Sequence, residues 1–350
     1  MSIRPIQFPD EVFARVCPDL YFERHLSLGL RPHSLRKFDE FRQIKVKFGN
    51  TDSENWQDYS SNLTLGTSSV RSDGINIVCS VTGGITEQEP VAGSGIYPNV
   101  EILRGGVGAS SANGGAPSEE EMVASQGICD ILRRLVNKES HNKCQFELFE
   151  KDLETGKSTV IPNKWLILNC HINVLSRNGP ISDYAWIAVL EALKDVTVPE
   201  FRYNYDTQQV EIMSGAAHPG QKLDFAFLNN KTQIPVASSF GILNANLEVE
   251  DSENEDGDET EVTLEKTQVV IADIQGESEE VATSTTHQGS RVSVMVSGDE
   301  KLSAFSFVGV TRDMNAIKQC LALAKSRAQS IGAKVDSGDT LWSTEETYRG

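Results

Sequence analysis

Apolar and polar positions along this chain follow two periods, and the places where one gives way to the other divide it into strands and helices. Period-two alternation or short β-branched runs at 42–48, 64–70, 75–81, 165–175, 223–228, 236–243, 267–273, 292–296 and 302–308 predict strands. Asp73-Gly74, set between two of these runs, predicts a hairpin turn. Helical spacing is clear three times. Ser118 with Glu121 three residues on is a capping-box pair, and Met122, Cys129, Leu132 and Val136 follow at helical intervals, which predicts a helix over 119–136. Ser182 is placed to cap a second helix, in which Trp186, Val189, Leu190 and Leu193 form one stripe. A third starts at Asp313, carries Met314, Ile317, Leu321, Ala324 and Ala328, and stops at Gly332. Residues 9–28 read as two short helical pieces broken at Pro18 and stopped by Gly29 and Pro32, an arm that packs against something. Strand groups broken by single helices predict an α+β fold, with α/β left open wherever a crossover is a helix alone.

Composition adds bounds. A chain of 350 residues with 39% apolar and 23% charged content can bury a substantial core, as one large or two intimately packed domains. Its formal charge is −18, and nine of the fourteen residues at 248–261 are Asp or Glu with no Lys or Arg among them. Self-repulsion predicts a solvated loop there. A calcium loop is the functional alternative, but with Asp251, Glu253 and Glu255 at positions 1, 3 and 5 the turn glycine, Gly257, falls one place late, and Val262 stands at position 12. Without these nine groups the chain still carries −9, so any contact with nucleic acid is local or borrowed from partners. The first residues lack the apolar run of a signal peptide, and no stretch is long and apolar enough to span a bilayer, which predicts a soluble intracellular protein without membrane contact. Cys17, Cys79, Cys129, Cys144, Cys170 and Cys320 are scattered, several on apolar faces, and read as reduced thiols.

Several motifs invite chemistry that their context denies. Gly156-Lys157-Ser158 copies the end of a phosphate-binding loop, but Lys151 stands where its first glycine belongs and the segment reads as a hairpin turn. Gly106-Val107-Gly108 opens a dinucleotide fingerprint whose third glycine is Ser111, inside a Gly- and Ser-rich loop at 103–117. His171 and Cys170 are neighbours on a predicted strand and point to opposite faces, and no CxxC or HxxxH spacing completes a tetrahedral site. Neither a metal nor a cofactor is expected.

Read in order over 31–333, RPHSLRKFDEFRQI, NLTLGTSSVRSDGINIVCSVTG, INVLSRNGPISDYAWIAVLEAL, PVASSFGIL and IKQCLALAKSRAQ resemble the RNase PH family. The resemblance implies the RNase PH-like fold, of the ribosomal protein S5 domain 2-like type, with mixed β-sheets and packed helices. It divides the chain into an arm at 1–30, a first part at 31–200, a second part at 201–333 that carries the acidic insertion 248–261, and a loose tail at 334–350. The arm DEVFARVCPDLYFERHLSLGLRP and the insertion before VVIAD resemble a fungal ring subunit of the eukaryotic RNA exosome. That resemblance implies a place in a hexameric ring built of heterodimers of RNase PH-like chains, with S1/KH cap subunits, a hydrolytic nuclease subunit and RNA threaded through the channel as partners. It also implies roles in ribosomal RNA processing and messenger RNA turnover, in the nucleus and nucleolus and also in the cytoplasm.

The departures decide the activity. Phosphorolysis brings two anions together, so an active member needs a basic cradle for phosphate and a carboxylate beside the RNA 3′ end. Where the family strand leads into that carboxylate, this chain has Asn244, Ala245 and Asn246, so that Asn246 replaces the family Asp; Asp251 is the residue that could substitute for it. Where phosphate would be held at a helix entry, Glu119, Glu120 and Glu121 suit the helix dipole and repel phosphate. Arg133 and Arg134, late in the same helix, and Arg104 in the glycine loop are the candidate RNA contacts; a basic last turn complementing the helix C-terminus is the plain alternative for the first two. The expectation is a non-catalytic ring subunit with no catalytic residue of its own. An active phosphate-dependent 3′–5′ exoribonuclease that shares a site with its dimer partner is the second reading, and a free RNA-binding module the third.

Overall fold

The computed structural model describes residues 16–31, 34–48, 64–90, 95–103, 116–137, 146–151, 158–213, 220–223, 225–229, 234–249, 263–285, 289–310, 314–336 and 343–344, with residues 9, 12 and 13. In chain order the helices are α1 (Pro18–Ser27), α2 (Glu119–Asn137), α3 (Ser182–Lys194), α4 (Ala226–Asn229), α5 (Gly276–Ala282) and α6 (Met314–Asp336). The strands are β1 (Lys45–Phe48), β2 (Thr64–Ser72), β3 (Ile75–Thr86), β4 (Ile96–Ile102), β5 (Glu147–Lys151), β6 (Ser158–Ser176), β7 (Thr197–Val198), β8 (Glu200–Asn204), β9 (Gln209–Met213), β10 (Gln221–Lys222), β11 (Pro235–Val249), β12 (Thr263–Ala272), β13 (Ser290–Ser297), β14 (Leu302–Gly309) and β15 (Ser343–Thr344). A nine-stranded sheet runs β15-β1-β2-β3-β6-β5-β8-β9, with β4 paired to β6, and a four-stranded sheet runs β12-β11-β13-β14. Parallel pairs occur at β1/β15, β4/β6 and β5/β8, and the rest are antiparallel, so the sheets are mixed and the fold is α+β.

Local sequence explains the joints. Gly74 takes φ +73° in the turn that links β2 to β3, a conformation a side chain resists. At the start of α2 the Glu121 N–H donates to Ser118 Oγ (3.3 Å) while the Ser118 N–H donates to Glu121 Oε2 (2.5 Å), the reciprocal capping box the sequence predicts. Lys151 stands opposite Ser158 in the β5/β6 ladder, and the predicted turn between them, 152–157, lies outside the described residues.

Three cores result. The main one lies between the inner face of the large sheet and helices α2 and α3. Helix α3 is buried from Asp183 to Leu193, apolar on nearly every side because the second sheet closes over it; Trp186, 1% exposed, donates its indole N–H to the Pro235 carbonyl (2.8 Å). The second core lies between the small sheet and α6, where Ala316, Cys320, Ala324 and Ala328 are buried. The third holds the arm: Phe22 and Leu26 of α1 pack on Leu243, Val269 and Ile271.

Some expectations are corrected. The run 223–228 is not a strand: β10 ends at Lys222 and α4 follows, because Phe225, Phe227 and Leu228 all enter the main core, which alternating faces would forbid. Ser182 does not cap α3; Ile181 holds the N-cap position without a side-chain hydrogen bond. Helix α6 passes through Gly332 to Asp336, and β15 ties the tail to β1 through Lys45 opposite Ser343. Residue Asp313 and the loop 104–115 lie outside the described residues, as do 250–262 of the acidic insertion; Glu248 and Val249 continue β11.

Candidate functional site

The junction expected to carry chemistry is a strand ladder. Strand β11 does not stop near Leu243; it runs on to Val249, so Asn244 faces Gln268 and Asn246 faces Lys266 across the β11/β12 hairpin. Asp251 lies outside the described residues. The carboxylates that the fold gathers beside β11 come from elsewhere: Asp183 in the first turn of α3 and Asp273 just past β12.

Ser239 of β11 connects the two. Its N–H and Oγ donate to Asp183 Oδ2 (2.7 Å) and Oδ1 (2.8 Å), and its carbonyl accepts the Asp273 N–H (2.8 Å). Asp273 sits at φ 54°, a left-handed conformation that Asp tolerates better than most side chains. Its Oδ1 accepts from Arg42 Nη2 (2.7 Å) and the Tyr184 hydroxyl (2.9 Å). Its Oδ2 accepts from the Arg42 N–H (2.8 Å), Arg42 Nε (2.9 Å) and Arg36 Nη1 (3.3 Å).

The surrounding groups extend this into a clasp. Arg31, wholly buried, pairs with the equally buried Glu279, donating from Nε to Oε1 (2.9 Å) and from Nη2 to Oε2, and also donates to the Ala272 and Asp273 carbonyls (both 2.7 Å). Arg42 reaches the Asp73 carbonyl of the β2–β3 turn (3.0 Å) and the Asn178 carbonyl before α3 (2.7 Å). Gln275 accepts from Arg36 (2.7 Å) and donates to Asp73 Oδ2 (2.6 Å). Gly179, at φ +105°, lets the turn before α3 lie against the Ile274 carbonyl where a Cβ would collide. Arg327 of α6 stacks on Phe41 (4.0 Å to the ring centroid) and donates to the Ala237 carbonyl (3.1 Å).

Electrostatics separate the two acids. Burial alone would raise the Asp273 carboxyl, but the hydrogen bonds and charge of Arg42 outweigh it and hold the group well below the usual carboxylate range. Burial pushes Asp183 up, against the charge of Arg327 and the hydrogen bonds from Ser239. Burial, and then the negative charge of Asp273, push the Tyr184 phenol up, so it remains a donor. Every carboxylate oxygen of Asp183 and Asp273 therefore already accepts a hydrogen bond from the protein. Such an arrangement holds elements together; a proton acceptor for a reaction needs an oxygen that substrate can reach.

The remaining candidates sit apart from this clasp. Arg133 and Arg134 are exposed at the end of α2, where Arg134 donates to the Ser303 carbonyl (2.8 Å) and Arg133 lies 3.8 Å from Cys129 Sγ. Arg104 lies outside the described residues. Of the three glutamates at the start of α2, Glu121 is held by the capping box and by the Ile102 N–H (2.7 Å), and Glu120 pairs with Arg177 (3.2 Å), which also pairs with Glu280 (2.7 Å). Among the described residues no group of His, Cys, Asp and Glu is arranged to hold a metal ion. Sequence reasoning missed the Asp183–Ser239 pair and the Arg31–Glu279 pair; the usable signal was Arg31, Arg36, Lys37 and Arg42 in one short stretch against only Asp39 and Glu40.

Residues 40–199 match the RNase PH family, described as the 3′ exoribonuclease family, domain 1. That match spans less than half of the chain, and with it the mixed sheets and the helix between them give the chain an RNase PH-like fold. More particularly, the chain is similar to exosome complex component rrp43 of Schizosaccharomyces pombe, 26% identical over 225 residues that cover 63% of this chain and 72% of that one. Its fold is that of two solved structures. One is titled as an Archaeoglobus fulgidus exosome with RNA bound to the active site (TM-score 0.54, 16% identity, covering 93% of this chain and 99% of that one). The other is titled an archaeal exosome core (TM-score 0.51, 15% identity, covering 94% and 100%).

Proposed function

We propose that this chain is a non-catalytic subunit of an exosome ring, contributing subunit interfaces and channel wall to 3′-to-5′ processing of ribosomal RNA and turnover of messenger RNA in the nucleus, nucleolus and cytoplasm. Other RNase PH-like subunits are its ring neighbours, S1/KH subunits cap the ring, and a separate hydrolytic subunit cuts the RNA. The likeness to rrp43 supports the assembly. The observation that carries the non-catalytic part is the saturation of Asp273: its two oxygens accept from Arg42, Arg36 and Tyr184, leaving the charge compensated inside the fold. Asn246 in the β11/β12 ladder, in place of an ionisable side chain, supports the same reading.

Phosphate-dependent cleavage tests it. The purified chain, alone and with an RNase PH-like partner, is incubated with short RNA and inorganic phosphate, and nucleoside diphosphates are measured. No release attributable to this chain is expected. Release that disappears on Asp251→Asn would overturn the reading in favour of a site shared with the partner.

A further inference from the structure

The edge of a β-sheet carries a row of main-chain N–H and C=O groups that the sheet itself leaves unpaired, and a folded chain has to blunt it. Most edges of this fold are blunted. Along β4 the Val100 N–H donates to Ser125 Oγ (2.9 Å) and the Ile102 N–H to Glu121 Oε1 (2.7 Å), both acceptors standing on α2. Strand β9 carries Glu211, and β12 carries Glu265 and Lys266, with its last N–H, that of Ala272, given to the Phe38 carbonyl (2.7 Å). Strands β7, β10 and β15 are two residues long and offer little to pair with.

Strand β14 lacks these protections. It ends the small sheet: β13 pairs with it on one side, and among the described residues no strand lies on the other. From Leu302 to Val310 the sequence LSAFSFVGV holds no charged residue and no proline, so neither of the usual devices that turn a second strand away is present. Eight residues at about 3.4 Å each make an edge about 27 Å long. Arg134 Nη1 of α2 donates to the Ser303 carbonyl near one end (2.8 Å) and Ser290 Oγ to the Val310 carbonyl past the other (2.9 Å), which bounds the open stretch at 304–309.

Side chains flank that stretch with apolar surface on both faces. Phe307 packs toward the second core and Ala304 toward the main core, so by alternation Phe305 belongs to the first of these faces and Val308 to the second. Phe305 is 44% exposed and Val308 57%, and Leu302, Val310 and Met314 are exposed at the two ends. A strand laid along the edge would pair the main chain and remove this apolar surface from water in one step.

We propose that β14 is a docking edge on which a strand of an RNase PH-like ring neighbour pairs, continuing the small sheet from one subunit into the next. The inference rests on the ring reading and names the strand that does the joining. The edge sets the chemistry of its occupant: an extended segment to meet the outward N–H and C=O groups, uncharged because no charge flanks them, and apolar on alternate residues. A second copy of this chain offers such a strand but brings another −18 with it, and β14 has no opposite charge to offset that repulsion. An unlike, less acidic chain is therefore favoured.

Amide hydrogen exchange, read by mass spectrometry on the full chain, is the test. Outward amides of 304–309 are expected to exchange fast in the isolated chain and to slow by about tenfold or more on assembly with RNase PH-like partners. The double substitution Phe305→Glu and Val308→Lys is expected to weaken that association by about tenfold or more, because it places charges in the closed contact. Both positions are exposed, and circular dichroism checks that the variant folds. A ring that assembles with exchange over 304–309 unchanged overturns the proposal and leaves the ring reading standing, as does a double variant that joins the ring with wild-type affinity. Protection that the chain acquires alone as its concentration rises, and that the double variant lacks, gives the edge to a second copy and overturns the proposal. Protection by an S1/KH subunit alone also overturns it. A chain that joins no RNase PH-like partner refutes the ring reading, and this inference with it.

Discussion

Asp273→Asn is the sharpest perturbation of the clasp. The amide keeps the shape of the side chain but removes its charge and turns one acceptor into a donor. Oδ2 accepts from the Arg42 N–H, Arg42 Nε and Arg36, and Oδ1 from Arg42 and Tyr184, so either orientation of the amide sets N–H against N–H or O–H. Arg42, whose side chain is 2% exposed, is left with a buried and uncompensated charge. Breaking one side of such a pair costs about 3–5 kcal/mol, a large part of the roughly 5–15 kcal/mol that holds a domain folded. With about 2.1 cal/mol/K of unfolding entropy per residue over a chain of this size, the melting temperature falls by about 4–7 °C. Thermal and urea unfolding followed by circular dichroism measure this. The acid limb gives a second readout. Because the folded carboxyl is held below its unfolded value, its contribution is complete above about pH 4 and is lost as the pH falls from there, so the variant should lose less stability on acidification than the wild type. Arg42→Met added to Asp273→Asn should cost less than the two single losses together. A loss under about 1 kcal/mol with an unchanged acid limb would refute the reasoning.

Other outcomes follow from neighbouring groups. Asp183→Asn should change stability by less than about 1 kcal/mol at pH 7, since an amide can still accept from the Ser239 N–H and donate to its Oγ. Burial raises the Asp183 carboxyl, so the wild type loses stability as pH rises through the carboxylate range, and the amide variant should lack that decline in urea titrations at pH 4 to 7. Ser118→Ala should lower stability by about 1 kcal/mol through loss of the cap on α2, measured in the same titrations. Burial pushes the Cys170 and Cys320 thiols up to about 12, so iodoacetamide at pH 8 should label the exposed Cys17 and leave Cys79, Cys170 and Cys320 intact until denaturant is added, as read by mass spectrometry.

What could be read from the chain was local. Ser118 and Glu121 signal the start of α2, and Asp73-Gly74 the β2–β3 turn, because each motif closes within a few residues. Strand β4, IYPNVEI, escaped because Pro98 argues against a strand; it is admitted at the side of β6, where a missing N–H costs little. The run at 223–228 alternates like a strand, yet the main core claims Phe225, Phe227 and Leu228 together, a tertiary demand that local pattern cannot express. The clasp was invisible for a further reason. Arg31 and Glu279 are separated by 248 residues and Arg42 and Asp273 by 231, and neither charge has a local cue that it will be buried. For Asn246 the residue type was legible, but its place inside a ladder and not at a strand end came only from the continuation of β11.

The spacing of the clasp has a consequence for biogenesis. Arg31, Arg36 and Arg42 leave the ribosome early, whereas Ala272, Asp273 and Glu279 follow 231 to 248 residues later. At about 5–20 residues per second that interval is roughly 12–50 s, during which three guanidinium groups lack their native carboxylates and the apolar side of the arm lacks the strands it packs on. The nascent first half must then wait, solvated or shielded by a chaperone, and truncation anywhere before Glu279 would leave it unable to close.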